Sequence, residues 1–163
     1  VEEDVDETLD NRSLIDVNTH IDDNYIKDDK LKIEIHKKIN EVDSIEKLNA
    51  VKNELEDRFG KISYDLEIYM YEEWFEKLAN KLEIKKVKQT RNMIDLELSA
   101  NISKKVQGED LFLLSYEISR NFKLSFKNNK IHIILELTNL DKHFLLYIIE
   151  LLSKLIERMK LSS

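Results

Sequence analysis

The sequence predicts an α+β fold in which a helical hairpin and further helices pack on a small, mostly antiparallel sheet. Apolar residues recur at helical spacing in three successive segments of the N-terminal half. Short alternating or apolar segments then come in two pairs, separated by a helical stretch. The predicted order is strand, three helices, two strands, helix, two strands, helix, which is typical of helices segregated to one side of an antiparallel sheet.

The composition indicates one folded domain with a heavily charged surface. The chain has 163 residues, of which 42% are hydrophobic and 36% charged. It has no cysteine, which excludes disulfides and thiolate metal sites. No apolar run approaches the ~20 residues of a membrane span, and the N-terminus is acidic rather than signal-like. We therefore expect a cytoplasmic protein without a membrane partner.

The negative charge is concentrated at the N-terminus. Residues 1–30 carry eleven acidic residues against three basic ones, a net charge of −8, whereas residues 31–163 carry a net charge of +1. We predict an acidic linker or arm over residues 1–13 and a single domain over residues 14–163. An acidic arm repels a phosphate backbone, so the charge distribution gives little support to nucleic-acid binding.

The N-terminal half is predicted to contain one strand and three helices. Residues 14–21 alternate as a half-buried strand does. A helix capped by Asp28 or Asp29 should run to about Val42. Ser44 should cap a second helix that ends at Gly60, and the two helices should form a hairpin. A third helix is predicted over residues 64–82.

The C-terminal half is predicted to supply the sheet. Strands are expected at residues 84–88 and 93–98, followed by a helix over residues 109–120. A hairpin of residues 122–126 and 130–137 should turn at Asn128-Asn129, because two asparagines suit a tight turn. Asp141 should cap a terminal helix that runs to about Lys160.

Motifs for catalysis or cofactor binding are missing from the sequence. With only Gly60 and Gly108, no glycine-rich phosphate loop can be written, so any nucleotide motor lies outside this chain. The histidines are scattered without a second ligand at helical spacing, and we predict no metal site. We expect no catalytic residues and no cofactor in this chain. The histidines are His20, His36, His132 and His143, and the acidic pairs Glu72-Glu73 and Glu109-Asp110 resemble solvated helix faces.

A short basic cluster is the best candidate for a nucleic-acid contact, although a weak one. It consists of Lys85, Lys86, Lys88 and Arg91. The cluster falls on a predicted edge strand, where lysines also discourage pairing with another strand.

A mixed-charge group on the second helix is the best candidate for a protein contact. Glu54, Asp57 and Arg58 stand at i, i+3 and i+4, so they share one helix face while Leu55 and Phe59 face the core. Such a group is often only a surface ion cluster, and surface pairs contribute about 0–1 kcal/mol to stability. On a rigid helix end it can also fix the register of a partner with complementary charges.

Three segments resemble the C-terminal domain of the transcription-repair coupling factor family (Mfd). They are residues 21–26 (IDDNYI), 32–39 (KIEIHKKI) and 54–60 (ELEDRFG), and the later Lys77-Leu78-Ala79 and Leu82-Glu83-Ile84 also fit the family pattern. The resemblance covers about residues 14–160, although the specific motifs lie within residues 21–60. Family members usually have prolines beside the first and third motifs, whereas this chain has no proline.

The resemblance implies a regulatory rather than a catalytic domain. The family's full-length protein is an ATP- and magnesium-dependent DNA translocase that displaces stalled RNA polymerase and recruits the excision-repair protein UvrA. In the family, the C-terminal domain packs on the UvrA-binding domain of the same protein and masks it. The family's contact patch corresponds here to Glu54, Asp57 and Arg58. The alternative function is a nucleic-acid-contacting accessory domain that uses Lys85, Lys86, Lys88 and Arg91.

Overall fold

Residues 14–159 are described by the structure, a computed structural model, and they confirm the α+β class. The predicted acidic arm, residues 1–13, lies outside the described residues. None of the described helices is long and apolar enough to cross a membrane. In chain order the elements are α1 (Asp29–Asn40), α2 (Ile45–Phe59), α3 (Tyr64–Lys81), β1 (Val87–Gln89), β2 (Met93–Glu97), α4 (Ala100–Lys105), α5 (Gly108–Ile118), β3 (Phe122–Lys127), β4 (Lys130–Glu136) and α6 (Phe144–Met159).

The hairpin of α1 and α2 begins and ends where the sequence predicts. The Asp28 side chain accepts a hydrogen bond from the Lys30 amide at the start of α1. The Ser44 hydroxyl accepts one from the Lys47 amide at the start of α2. Gly60 ends α2 with φ of 94°, a conformation that glycine adopts without steric cost. The predicted hairpin is confirmed.

The four strands form one antiparallel sheet in the order β1-β2-β4-β3. The β3–β4 turn has Asn128 and Asn129 at φ of 53° and 66°, and positive φ at both central residues is what a type I′ turn needs. Leu96 of β2 and Leu124 of β3 both lie opposite Ile133 of β4 and point to one face of the sheet. That face packs on the helices, as the antiparallel prediction requires.

Two hydrophobic cores share the helix α3. The first core combines α1, α2 and residues from the first half of α3 with Ile21 and Ile26. The second core combines the sheet, α5 and α6 with Ile68, Phe75, Leu78 and Ala79, which lie on the other face of α3. Tyr71 and Trp74 of α3 pack against both. The hairpin and the sheet are therefore connected through one continuous helix.

The predicted first strand is wrong, because residues 14–21 form no strand in the structure. Ile15 and Ile21 are buried as the alternation predicts, but the segment pairs with no strand of the described sheet. Side chains of α3 accept its hydrogen bonds instead. The Leu14 amide donates to a Glu76 carboxylate oxygen at 2.7 Å, and the Asn18 side chain donates to Asp65 at 3.3 Å.

The predicted cap of the last helix is also wrong. Asp141 lies three residues before α6, and its carboxylate accepts a hydrogen bond from the Tyr147 hydroxyl instead. His143 acts at the start of the helix, where its Nδ1 accepts from the Leu145 amide at 3.1 Å and its carbonyl accepts from Leu146. An imidazole with an unprotonated Nδ1 can replace the usual carboxylate or hydroxyl cap.

One helix was missed because it is short. The six-residue α4 follows Ser99, whose hydroxyl accepts a hydrogen bond from the Ile102 amide at 3.0 Å. Ile102 is buried in the second core, and Ser103 uses its hydroxyl to accept from the Ile131 amide at 2.9 Å. The serine cap was the available signal, but a single apolar turn gives no periodicity to detect.

The expectation that Glu72-Glu73 is a solvated helix face is wrong for Glu72, which is fully buried on α3. Glu73 is half-buried and shares a hydrogen bond with Glu72. Burial raises the pKa of Glu73, against the lowering effect of nearby Lys77. Both carboxyls lie on the helix that the two cores share, so packing on more than one side of α3 reduces their access to solvent.

We expect Phe75→Ala to lower the free energy of unfolding by about 3–5 kcal/mol, because Phe75 is fully buried in the second core and its removal leaves a cavity. Urea denaturation followed by fluorescence of the single tryptophan and by circular dichroism measures this. Asn80→Ala, at an exposed position of the same helix, should change stability by less than about 0.5 kcal/mol. Equal effects of the two substitutions would contradict the described packing.

Candidate functional site

The antiparallel hairpin places two charged residues of α1 beside two of α2. The Arg58 guanidinium lies 3.0 Å from Glu54 on its own helix and 3.5 Å from Glu34 on α1. Lys38 of α1 lies 3.3 Å from the other carboxylate oxygen of Glu54. These four side chains alternate in sign and join the helices across the surface. We call them, together with Asp57, the hairpin face.

The ion pairs of the hairpin face hold Glu54 in its charged form. Partial burial acts to raise the pKa of Glu54, but hydrogen bonds from Lys38 and Arg58 outweigh it and lower the pKa below its usual range. Three acids and two bases give the hairpin face a formal charge of −1. Since Arg58 and Lys38 are both engaged, the face offers a partner more negative than positive charge.

Asp57 is an exposed charge of this face that has no ion-pair partner among the described residues. Glu54 and Arg58, in contrast, neutralise each other. The structure thus brings two of the three predicted residues together and leaves Asp57 next to them. Sequence reasoning missed Glu34 and Lys38. Their spacing of four residues on α1, combined with the predicted hairpin, was the signal that could have revealed them.

The end of α2 is fixed by Tyr25. Its hydroxyl donates to the Gly60 carbonyl at 2.7 Å and lies 3.3 Å from the Leu55 carbonyl, while its ring lies 5.8 Å from that of Phe59. Tyr25 is positioned in turn by the Asp22 carbonyl, which accepts from its amide at 2.9 Å. Arg58 stacks over Phe59 at 5.0 Å. The conformation of the helix end that carries Arg58 and Asp57 is therefore determined by packing.

The helix α1 is anchored to α3 by a polar contact. His36 Nδ1 lies 2.8 Å from the Tyr69 hydroxyl, which also donates to the Asn40 side chain at 3.1 Å. Burial lowers the pKa of His36, and the positive charges of His20 and Lys32 add to that effect. Burial likewise raises the pKa of Tyr69 to about 12. The neutral forms of both side chains are thus favoured in the folded protein.

The predicted basic cluster surrounds the edge strand β1. Lys88 lies on β1, which pairs only with β2 in the described sheet. Lys85, Lys86 and Arg91 flank the strand. All four side chains are exposed and form no ion pair with a residue in the described part of the chain. The location on an edge strand is confirmed, whereas contact with nucleic acid stays a prediction.

The described side chains form no cluster of metal ligands. Residues 14–159 contain no group of three or more histidines and acids that could hold an ion. His132 lies between two acids on the sheet, with its Nδ1 2.9 Å from an Asp95 carboxylate oxygen and its Nε2 3.4 Å from one of Glu97.

Comparison of the sequence with known protein families identifies the family of this chain. The model of the TRCF domain family matches residues 15–109, which include the whole hairpin face and the basic cluster. The chain belongs to the TRCF domain family. The residues after 109 form most of α5, the β3–β4 hairpin and α6.

Its relatives are much longer proteins. The transcription-repair-coupling factor of Staphylococcus haemolyticus is 30% identical over 130 residues, which cover 74% of this chain and 10% of the relative. That of Bacillus subtilis is 26% identical over 122 residues, which cover 75% of this chain and 10% of the relative. The chain thus spans about a tenth of the length of these relatives.

The fold agrees with a crystal structure of the C-terminal domain of a transcription-repair coupling factor. The two chains superpose with a TM-score of 0.76, and the match covers 91% of this chain and 93% of that one. Sequence identity is 19%, so the likeness establishes the fold alone. The family resemblance stated from the three sequence motifs is confirmed.

We expect the stability of the domain to decrease as the pH falls below about 6.5. Because the pKa of His36 is lower in the folded than in the unfolded protein, the unfolded state binds the proton more readily. The stabilisation that depends on a neutral His36 is fully present above the unfolded pKa of 6.5. It is lost as the pH falls toward the lower pKa of His36 in the folded protein. His143, whose pKa is also lowered by burial, acts in the same direction.

An NMR titration of the imidazole signals, assigned with a His36→Asn variant, measures this directly. Urea denaturation at pH 7.5 and pH 5.5 should show a smaller pH effect in that variant than in the unmodified chain. A His36 pKa at or above 6.5 would contradict the described burial of the imidazole between α1 and α3.

Proposed function

We propose that this TRCF domain is a non-catalytic, autoinhibitory module that docks on the UvrA-binding domain of the same protein and masks it. The observation that supports the proposal is the hairpin face, in which Arg58 is held between Glu54 and Glu34 while Asp57 stays exposed. A surface contact needs charges in fixed positions, and the ion pairs of the hairpin face supply them.

The parent protein is proposed to be an ATP-dependent DNA translocase that displaces stalled RNA polymerase and recruits UvrA for nucleotide excision repair. The relatives bear the name transcription-repair-coupling factor. In this proposal ATP and magnesium bind the motor elsewhere in the parent, because this chain has only two glycines and no phosphate loop. DNA, RNA polymerase and UvrA are then partners of the parent in the cytoplasm, and the UvrA-binding domain is the direct partner of this domain.

A weak interface is sufficient for such a module. The two domains belong to one chain, so the linkers between them supply an effective concentration of about millimolar. Docking on the UvrA-binding domain then needs an interface free energy of only about a few kcal/mol. A conformational change of the motor can reverse docking of this strength. The ion pairs of the hairpin face reduce the entropy lost on docking, since Arg58 and Glu54 are already fixed in the free domain.

Within the hairpin face, Asp57 and Arg58 have different roles. Asp57 is free to meet a basic residue of the UvrA-binding domain, and reversal of its charge places like charges opposite each other. Arg58 acts indirectly, because its loss leaves Glu34 and Glu54 without their shared counter-charge. Replacement of either residue should weaken docking on the UvrA-binding domain, but only that of Arg58 should also disturb the free domain.

We expect Asp57→Lys and Arg58→Ala in the full-length parent to strengthen UvrA binding by about five- to tenfold, which corresponds to ~1–1.4 kcal/mol of lost masking. Biolayer interferometry with immobilised UvrA measures the affinity. Glu46→Lys is the matched control, since Glu46 is exposed at the opposite end of α2 and undergoes the same charge change. Unchanged UvrA affinity in both variants, with thermal unfolding intact, would overturn the masking proposal.

The second candidate is a nucleic-acid-contacting accessory domain. It is favoured by one observation, the exposure of Lys85, Lys86, Lys88 and Arg91 around β1 without ion pairs to described residues. Such side chains can grip a phosphate backbone without a sequence motif. The near-neutral charge of residues 31–163 gives no wider positive field to support them.

A salt titration separates the two candidates. Four phosphate contacts would give a slope of about −3.6 for log affinity against log salt concentration. We expect no such slope for a fluorescent 20-bp duplex with this chain, because the proposed function is protein docking. A slope near that value that is lost in the Lys85→Glu/Lys88→Glu variant would favour the accessory function instead.

A further inference from the structure

The outer side of α5 carries a cluster of large apolar side chains on the surface of the domain. The inner side of the helix packs in the second core through Leu111 and Leu114. On the outer side, Phe112 and Leu113 are each 54% exposed and Tyr116 is 49% exposed. Seven large apolar residues are exposed in the described part of the chain, and three of them are neighbours here. Such clustering is typical of an interaction surface.

The exposed residues of α5 form one stripe along the helix. Glu109 is followed by Phe112, Leu113 and Tyr116 at spacings of three, four and seven residues, so all four side chains lie on the same side. The rings of Phe112 and Tyr116 stack with their centroids 6.0 Å apart. We call these four residues, together with Arg120, the α5 face.

The two ends of the α5 face have opposite charges. Glu109 lies in the first turn of α5, and Arg120 lies two residues after the end of the helix. The Arg120 guanidinium is 5.0–5.5 Å class cation–π geometry from Tyr116, at 5.4 Å from the ring centroid, which places its positive charge on this face. Both charges are exposed, and neither forms an ion pair with a described residue. Each suits the dipole of its own helix, but the dipole does not account for the apolar residues between them.

The α5 face is complementary to itself. Glu109 and Arg120 are equally distant in sequence from the midpoint between residues 114 and 115, and so are Leu113 and Tyr116. When a second copy of α5 packs antiparallel about a two-fold axis at that midpoint, Leu113 of each copy meets Tyr116 of the other. Glu109 of each copy then meets Arg120 of the other. Every contact occurs twice, as an interface between identical subunits requires.

We propose that the α5 face is a homodimer interface, at which the α5 helices of two copies of this domain pack antiparallel. The apolar residues form its centre, and the Glu109–Arg120 pairs form its two ends. This interface goes beyond the proposed masking function, because it belongs to the second core and uses no residue of the hairpin face.

The size of the α5 face determines the strength of the dimer. Three large side chains that are about half exposed offer on the order of 300 Å² of apolar surface per copy. A stable complex buries about 800 Å² per partner. We therefore expect a weak dimer, with a dissociation constant between about 10 µM and 1 mM.

The chemistry of the α5 face argues against other occupants. A nucleic-acid backbone would find Arg120 beside two exposed acids, Glu109 and Glu117, and would leave the apolar residues in water. A small ligand prefers a concave site, whereas these side chains stand on the outer side of a helix. A second copy of the chain satisfies the apolar residues and both charges together.

Sedimentation equilibrium of the 163-residue chain tests the proposal. The mean mass should rise from that of a monomer toward that of a dimer as the concentration increases from about 10 µM to 1 mM. Leu113→Lys should weaken the dimer at least about tenfold, because it places a charge in the apolar centre. Ile33→Lys is the matched control, since Ile33 is 57% exposed on α1 and undergoes the same change. This control should dimerise like the unmodified chain.

Charge exchange tests the antiparallel arrangement. Glu109→Arg and Arg120→Glu each place like charges opposite each other, so each variant alone should dimerise at least about tenfold more weakly. An equimolar mixture of the two variants should associate again, because opposite charges then meet at both ends of the mixed dimer. The double variant Glu109→Arg/Arg120→Glu should also dimerise. Circular dichroism verifies that each variant is folded.

Each outcome decides the proposal. Loss of the dimer in the single variants and its return in the mixture support it. A monomer at 1 mM overturns it, as do a dimer that persists in Leu113→Lys and a mixture of the charge variants that stays monomeric. UvrA affinity of the parent should not change in Leu113→Lys, whereas the masking function is tested by Asp57→Lys. Failure of this interface and failure of the masking function are therefore distinguishable.

Discussion

Burial of two opposite faces of α3 is the constraint on which the rest of the structure depends. Leu66 and Met70 pack in the first core, whereas Phe75 and Ala79 pack in the second. A helix of 18 residues is about 27 Å long, which is enough to span both cores without a hinge. The hairpin of α1 and α2 therefore cannot move relative to the sheet unless α3 loses its contacts with one of them.

That rigidity determines the positions of the surface charges on α1 and α2. Exposed ion pairs contribute little to stability, about 0–1 kcal/mol each, so the hairpin face adds little to the free energy of unfolding. Its position is determined instead by the packing beneath it. Tyr25 holds the end of α2 through the Gly60 carbonyl, and His36 connects α1 to Tyr69 of α3. The charges are thus placed by buried and half-buried contacts that belong to the first core.

The sequence predicted the elements that have a strong local signal. The helices α1, α2 and α3 combine apolar stripes with caps such as Ser44 and Gly60, so pattern and capping agree. Residues 14–21 show the limit of this reasoning, because alternation reports burial of Ile15 and Ile21 but not the presence of a neighbouring strand.

The candidate site was predicted only in part for a related reason. Helical spacing placed Glu54 and Arg58 together, whereas Glu34 and Lys38 become neighbours only through tertiary packing of the hairpin. The hairpin face is net negative and belongs to the first core. Its assembly from two helices therefore depends on the packing of α1 and α2 against α3, which local spacing in the sequence does not report.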